Sequence, residues 1–513
     1  MSSTRAWMAM VLLGCGTPTV SDAGSLDGGL DGGAVSDAGP PDAGPLPELE
    51  WGPCPDRFRD ECATVAMPLD HAHPEGETID VFLSRRGSGP RQLWLLQGGP
   101  GGSAERFFGL HDFLSMIDPE LEVYTIEHRG VGESTRLTCS AEAEDSLAGT
   151  RIHSWEWVSC RNDLVATWGE RLDHFSTTQA ANDLALAIAL TRREGQRVFV
   201  YGASYGTFWA NRFAALHPDR ADGIVLDGPL APGSSLADYD HWFEPVGRRV
   251  LGELCPAAPR CAEHLGPDPL AFFERVVASL GEGHCSEIGF NLPTWKVLFA
   301  LSLMDYNLRN WLPAIIYRLD RCSAADQQAI GTLLQNLFAR GPGLPRTSPA
   351  LQMHVVLSEL WPRTHVDDAP QLAAAETNLF FQNANGDTFP LQDDWPRYPI
   401  DPAPDYPPLS LPVLSMVGTL DPATPAEIVG YGYRDHLTGP HQTFVEIPYG
   451  AHTVLTTGYL MDMDSCPVQL TRAFFLDPSG PLPTECAEQV LHPSFDAPEE
   501  VAMRWFGVAD LYE

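Results

Sequence analysis

Between residues 51 and 229, short runs of consecutive apolar residues alternate with longer stretches whose apolar positions recur at helical spacing. The short runs are Gln92–Gln97, Glu122–Glu127, Arg197–Tyr201 and Gly223–Asp227. They are apolar almost throughout, which predicts strands covered on both faces rather than strands with one wet side. Thr178 to Arg193 carries its apolar residues at helical spacing, and Tyr205 to Leu216 does the same directly after the third run. Strand–helix alternation of this kind predicts a mostly parallel sheet with helices on both faces.

The pattern changes near residue 230. From 230 to 408 the chain reads as amphipathic helices, such as Pro269–Leu280 and Ala324–Ala339, separated by proline-rich breaks. Strand-like runs return at Pro412–Val417 and Thr443–Pro448. The simplest arrangement is one sheet built from residues 51–229 and 409–513, interrupted by a large, mainly helical cap over 230–408. A chain of 513 residues exceeds what one hydrophobic core usually organises, which agrees with such an insertion. No internal repeat is visible.

The beginning of the chain has its own pattern. Arg5 precedes an apolar run, Ala6 to Leu13, that is too short to span a bilayer. It ends in Leu12-Leu13-Gly14-Cys15, which resembles a bacterial lipobox, where the cysteine is lipidated and becomes the new N-terminus. An ordinary export signal with an incidental cysteine is the alternative. Residues 16–50 are dominated by Gly, Asp, Ser, Ala and Pro and hold too little apolar surface to fold, so a disordered acidic tether is expected. The protein is therefore expected to be exported, touching a bacterial membrane only through a lipid on Cys15, or otherwise to be secreted.

Charge narrows the partners. The formal net charge is −36, and Lys296 is the single lysine. Such a field repels polyphosphates, which argues against nucleic acid and mildly favours a cationic ligand such as a free amino terminus. Eleven cysteines less Cys15 leave an even set of ten. Proximity along the chain and an oxidising compartment suggest the pairs Cys54–Cys62, Cys139–Cys160, Cys255–Cys261, Cys285–Cys322 and Cys466–Cys486. Zinc is the rival reading, but the chain lacks paired C-x-x-C knuckles. No cofactor pattern is present.

The chemistry concentrates at the ends of the strand-like runs. Gly202-Ala203-Ser204-Tyr205-Gly206 sits between a strand and a helix and fits G-x-S-x-G, the sharp turn that presents a nucleophilic serine. Gln97-Gly98-Gly99-Pro100-Gly101-Gly102-Ser103 follows another strand and lacks the G-K-[ST] of a phosphate-binding loop. Beside a serine nucleophile it would instead offer a backbone N–H, that of Gly99, to an oxyanion; the second donor would be the N–H of Tyr205. Asp421 and His452 each lie just past a later strand, in the order Ser, Asp, His. His452 is then the general base for Ser204, and Asp421 the acid that fixes its tautomer. Asp227, after the fourth strand, is the alternative acid. His71, His73, His128 and His217 read as structural or solvated.

With these residues assembled, the chain resembles the prolyl and tripeptidyl aminopeptidase family of serine peptidases, within the α/β-hydrolase superfamily. Gln97-Gly98-Gly99-Pro100-Gly101 resembles its H-G-G-P-G loop, and Glu127-His128-Arg129-Gly130-Val131-Gly132-Glu133-Ser134 its D-x-R-G-x-G-x-S turn. Leu226-Asp227-Gly228 resembles the L-D-G that ends the family's next strand. The tail, with Gly418 to Pro425, the Gly450-Ala451-His452 turn and Cys466 and Cys486, resembles the C-terminal region of its secreted tripeptidyl branch. Gln97 for His, and Glu127 and His128 for Asp and Gln, depart from the pattern. The resemblance implies the α/β-hydrolase fold and an aminopeptidase that releases short units from peptide N-termini. A carboxylesterase on small acyl esters is the alternative, and a non-catalytic binding protein a third. A carboxylate in the cap is expected to hold the substrate ammonium. Asp238, Asp240 and Glu244 stand where the cap begins, with nothing to single one out.

Overall fold

The six apolar runs are the last six, in chain order, of the nine strands of one sheet in the computed structural model, which describes residues 49–54, 60–143, 152–231, 233–338, 347–399, 409–456 and 462–513. The strands are β1 (Gly52–Pro53), β2 (Glu61–Pro68), β3 (Thr78–Gly87), β4 (Arg91–Leu96), β5 (Leu121–Ile126), β6 (Arg197–Ala203), β7 (Gly223–Asp227), β8 (Val413–Gly418) and β9 (Gln442–Ile447). Their order across the sheet is β1-β2-β3-β5-β4-β6-β7-β8-β9. From β5 to β9 neighbours run parallel, while β1, β2 and β3 add an antiparallel edge. Every residue of β4, β5, β7 and β8 is buried, as expected for strands sandwiched between helices. The connections leave β4 in opposite directions, to β5 on one side and, later in the chain, to β6 on the other. That reversal opens a crevice at the carboxyl ends of β4 and β6, where α/β sheets bind ligands.

Several polar residues in and beside the sheet find close partners. Arg91 donates to Asp118 and Glu120 at 2.6 and 2.7 Å, and Gln92 accepts the Trp94 indole N–H at 3.0 Å. Arg129 is fully buried. Its guanidinium donates twice to Asp183, at 2.8 and 2.6 Å, and to the carbonyls of Pro68, Leu69 and His174. The Glu127–Ser134 turn is thus built around a buried ion pair, and breaking such a pair costs about 3–5 kcal/mol. The helices beside the sheet keep their expected ranges closely: Thr177–Thr191, capped by the Ser176 hydroxyl, and Tyr205–Leu216.

Between β7 and β8 every long element among the described residues is a helix. Pro269–Gly281 starts at Asp268, whose carboxylate accepts the Ala271 N–H at 3.0 Å, with Pro269 in the first turn. Lys296 is buried and donates to the carbonyls of Ala375 and Glu376, both at 2.9 Å. The last residues were expected with the sheet but lie against these helices. Trp311 packs on Trp505 and Phe506, each 5.6 Å between ring centres. Arg318 donates to the carbonyls of Leu511, Asp510 and Glu513 at 2.7, 3.0 and 3.2 Å. The amphipathic helix Glu499–Phe506 finds its apolar cover there, through Ala502 and Phe506.

All five expected disulfides are present, with Cα–Cα distances from 4.9 Å for Cys54–Cys62 to 5.6 Å for Cys285–Cys322. No described helix is long and apolar enough to cross a membrane. Cys15, the leader over 1–15 and nearly all of the tether over 16–50 lie outside the described residues.

Candidate active site

Ser204 joins the end of β6 to the helix Tyr205–Leu216 with φ 56° and ψ −125°. A non-glycine residue holds such a conformation only where its surroundings enforce it. Here the Ser204 N–H donates to the Asp227 carbonyl at 2.9 Å, and the Ser204 carbonyl accepts from the Thr207 N–H and hydroxyl at 2.8 and 2.5 Å. The flanking glycines are demanded by contact. A Cβ on Gly206 would stand 2.0 Å from the Leu96 carbonyl oxygen, and one on Gly202 would stand 2.3 Å from that of Gly206. Tyr205 opens the helix, where backbone N–H groups have no carbonyl one turn back to receive them.

The glycine-rich loop after β4 is pinned from three directions. Gln97 Oε1 accepts the Gly98 N–H at 2.7 Å, so the residue that stands in place of histidine supports the loop from within. Glu127, buried at the end of β5, accepts the Ser103 hydroxyl at 2.6 Å and the Ala104 N–H at 2.9 Å. Burial outweighs those donors and pushes the Glu127 carboxyl up to about 7. From the helical insertion, the Ser348 N–H donates to the Gly101 carbonyl at 2.9 Å.

Asp421 and His452 meet above β8 and β9. His452 Nδ1 lies 2.8 Å from Asp421 Oδ2 and 3.1 Å from Oδ1. Asp421 also accepts the N–H groups of Ala423 and Thr424 and the Thr424 hydroxyl, at 2.7, 2.9 and 2.8 Å. Burial works against its charge, but the imidazole and these donors prevail and hold the carboxyl below its usual range. The insertion reaches both loops. Arg249 donates to the Thr419 carbonyl at 3.1 Å, and Arg309 donates to that of Tyr449.

Ser204 and His452 share a cavity of about 370 Å³ with Gln97, Gly98, Gly99 and Pro100. Its opposite wall comes from the insertion, through Leu301, Met304, Asp305 and Gln352. The structure therefore brings Ser204, His452 and Gly99 onto one cavity, with Asp421 behind the imidazole and Tyr205 next to Ser204 in the elbow.

The competing residues are engaged elsewhere. Asp227 does not hydrogen-bond the His452 ring; it accepts the N–H groups of Val454 and Leu455 at 2.7 and 2.8 Å. His128 is buried, lies 2.7 Å from the Arg129 carbonyl through Nδ1, and is pushed down to about 4 by that burial. His71, His73 and His217 pair with Asp183, Asp70 and Asn182. Two of the cap carboxylates are consumed by the cap itself. Asp240 accepts from Gln371, Ala384 and Asn385, and Glu244 from Leu379, Phe380 and Arg248. Asp238 does not line the cavity.

The carboxylate that does line it is Asp305, which sequence reasoning missed. It caps the helix Tyr306–Arg321 through the N–H groups of Asn307 and Leu308 at 2.8 and 2.9 Å, and burial raises its carboxyl. An aspartate before an amphipathic run signals a cap, and only the tertiary fold turns that cap toward Ser204.

The chain is similar over part of its length to several known proteins. The tripeptidyl aminopeptidase of Streptomyces coelicolor is 28% identical over 234 residues, covering 40% of this chain and 42% of the relative. The serine protease Hip1 of Mycobacterium tuberculosis is 27% identical over 213 residues, covering 36% and 40%. The proline iminopeptidase of Aeromonas sobria is 29% identical over 184 residues, covering 34% and 38%. The chain thus matches less than half the length of each of these relatives. The model of the alpha/beta hydrolase fold matches residues 93–459, a span that takes in the glycine-rich loop, the serine elbow, Asp421 and His452. The chain belongs to the α/β-hydrolase fold family.

Proposed function

We propose that this protein is a serine aminopeptidase that removes short units from peptide N-termini through an acyl-enzyme. The observation that carries the reading is the imidazole of His452, held through Nδ1 by a buried Asp421 at 2.8 Å and sharing a cavity with Ser204. In this reading His452 Nε2 takes the Ser204 proton as Oγ attacks the scissile carbonyl, and Asp421 stabilises the imidazolium that forms. The oxyanion is received by the backbone N–H groups of Gly99 and Tyr205, each such donor being worth about 3 kcal/mol in the transition state. His452 then protonates the departing amine, and water repeats the sequence on the acyl-enzyme.

The aminopeptidase part is supported by the names of the relatives and by Asp305 in the cavity wall. A substrate ammonium beside Asp305 would offset the burial that raises its carboxyl. Peptide anilides with a free amine should be cleaved at least about 100-fold faster than their acetylated forms, because acetylation leaves the carboxylate unpaired in a desolvated site. Asp305→Asn should remove most of that preference. An esterase would be indifferent to the amine and prefer short acyl esters. Equal rates on free and acetylated peptides would overturn the aminopeptidase reading and leave a serine hydrolase. Export and a lipid on Cys15 belong to the same proposal, supported by the apolar run Ala6 to Leu13 and by the disulfides. Release of Cys15→Ala into the medium is the expected result, and unchanged membrane association the contrary one.

A further inference from the structure

We infer that Asp227 is a positioning residue that keeps the Ser204 elbow and the His452 loop in register. The inference rests on the serine-hydrolase reading above and concerns a residue that, on this geometry, touches neither the substrate nor the imidazole. Asp227 ends β7, between the strand that delivers Ser204 and the one that leads to Asp421. Its main chain and its side chain face different partners. The Asp227 carbonyl accepts the Ser204 N–H at 2.9 Å. One carboxylate oxygen accepts the Val454 N–H at 2.7 Å, and the other accepts the Leu455 N–H at 2.8 Å. The second oxygen also accepts the hydroxyl of Tyr201, three residues before Ser204, at 2.8 Å. One residue therefore grips the strand end before the nucleophile, the nucleophile's own N–H, and the two residues that follow the base by two and three positions.

The next residue shows how closely the two loops are set. A Cβ on Gly228 would stand 3.2 and 3.3 Å from Cε1 and Nδ1 of His452, and 3.0 Å from the Thr424 hydroxyl. The imidazole thus lies directly against the backbone that Asp227 anchors. The ionisable side chains facing this strand end are Tyr201 on β6, His452 after β9 and, through Thr424, Asp421 after β8. Burial pushes Asp227 up to about 6, against the pull of its three donors and of His452. A buried carboxylate with no cation in direct contact is costly to keep, and holding two reacting groups in register is a function that would retain it.

The test uses the full chain and a fluorophosphonate probe, whose labelling rate reports the activated serine without a known substrate. Asp227→Asn keeps the shape but offers an amide N–H where a donor must be received, so part of the grip is lost. Labelling should slow by about 100-fold, the scale of a small misplacement of reacting groups. Its acid limb should move to lower pH, because the imidazolium loses a nearby negative charge, while a purely architectural role would leave that limb in place. Asp421→Asn should be slower by about 10⁴-fold, which separates register from direct orientation. Tyr201→Phe breaks only the elbow side of the bridge and should slow labelling by less, and it stands in if Asp227→Asn does not fold. Wild-type labelling by Asp227→Asn, or by Tyr201→Phe where the first variant is unfolded, overturns the inference, as does an unmoved acid limb. Labelling of Ser204→Ala would instead overturn the serine-hydrolase reading on which it rests.

Discussion

Loss of the Ser204 hydroxyl should end turnover and leave the melting temperature almost unchanged, since in the proposed mechanism the hydroxyl serves chemistry rather than packing. His452→Ala and Asp421→Asn should each cost about 10³–10⁴-fold in kcat, and combined losses should be far from additive. Wild-type turnover in any of the three would remove that residue from the mechanism. Gly228→Ala is a stricter probe of geometry. At φ 67° an alanine is strained, and its methyl would press on the His452 ring. A large fall in kcat with a small change in KM is expected; an unaltered kcat would mean that the ring has room to move. At this scale the sequence was most legible where chemistry is tied to a strand end. Ser204, Asp421 and His452 could be placed because each follows an apolar run. Asp305 and the grip of Asp227 could not, since they depend on which distant segments meet, as when Asp227 reaches Val454 across 227 positions.

Strands β4 to β9 and the helix Tyr205–Leu216 were expected within one or two residues of their observed ends. In β4, β5, β7 and β8 burial on both faces leaves a nearly unbroken apolar signature, while β9 lies half-buried at the sheet edge. The hairpin of β2 and β3 was not expected. Polar positions interrupt Glu61–Pro68 and Thr78–Gly87, as in a sheet edge with one wet side, and the apolar signature breaks up. The turn after β5 carries the prediction that belongs to elements. Glu127 is raised to about 7 in the fold, against 4.5 for an ordinary glutamate. A raised acid favours the fold fully below 4.5 and loses that contribution as pH climbs through about 7. The neighbouring His128, lowered to about 4, acts in the opposite sense: its contribution is present above 6.5 and lost as pH falls toward 4. Glu127→Gln removes the first component alone. Its melting temperature should therefore gain on the wild type between pH 5 and pH 8. A constant difference across that range would show that Glu127 does not change ionisation there.

Across the whole molecule, the insertion and the sheet complete one site between them. The sheet supplies Ser204, Asp421 and His452, and the insertion supplies Asp305 together with the arginines that hold two of the loops. The tail beyond about residue 493 fastens the insertion rather than the sheet, chiefly through Arg318 and its paired Asp326 at 3.0 Å. The sequence carried no sign of this, because a short amphipathic helix does not reveal which apolar surface it covers. Arg318→Met leaves three tail carbonyls without their donor and should destabilise the protein by about 3–5 kcal/mol. Proteolysis near residue 492 should become rapid while the sheet stays protected. A tail equally resistant in that variant would show that the apolar contacts of Trp505 and Phe506 suffice to hold it.

The five disulfides close short stretches of chain, from 6 residues at Cys255–Cys261 to 37 at Cys285–Cys322, and each begins and ends on the same side of the boundary between sheet and insertion. Two lie wholly between β7 and β8, and the other three lie wholly outside it. Covalently, then, the insertion is a cassette. It could be exchanged for another between residues 230 and 408 without orphaning a single cysteine, provided that the graft brings its own fastening tail. The same freedom would let selectivity diverge by replacement of one block while the hydrolytic machinery stays as it is.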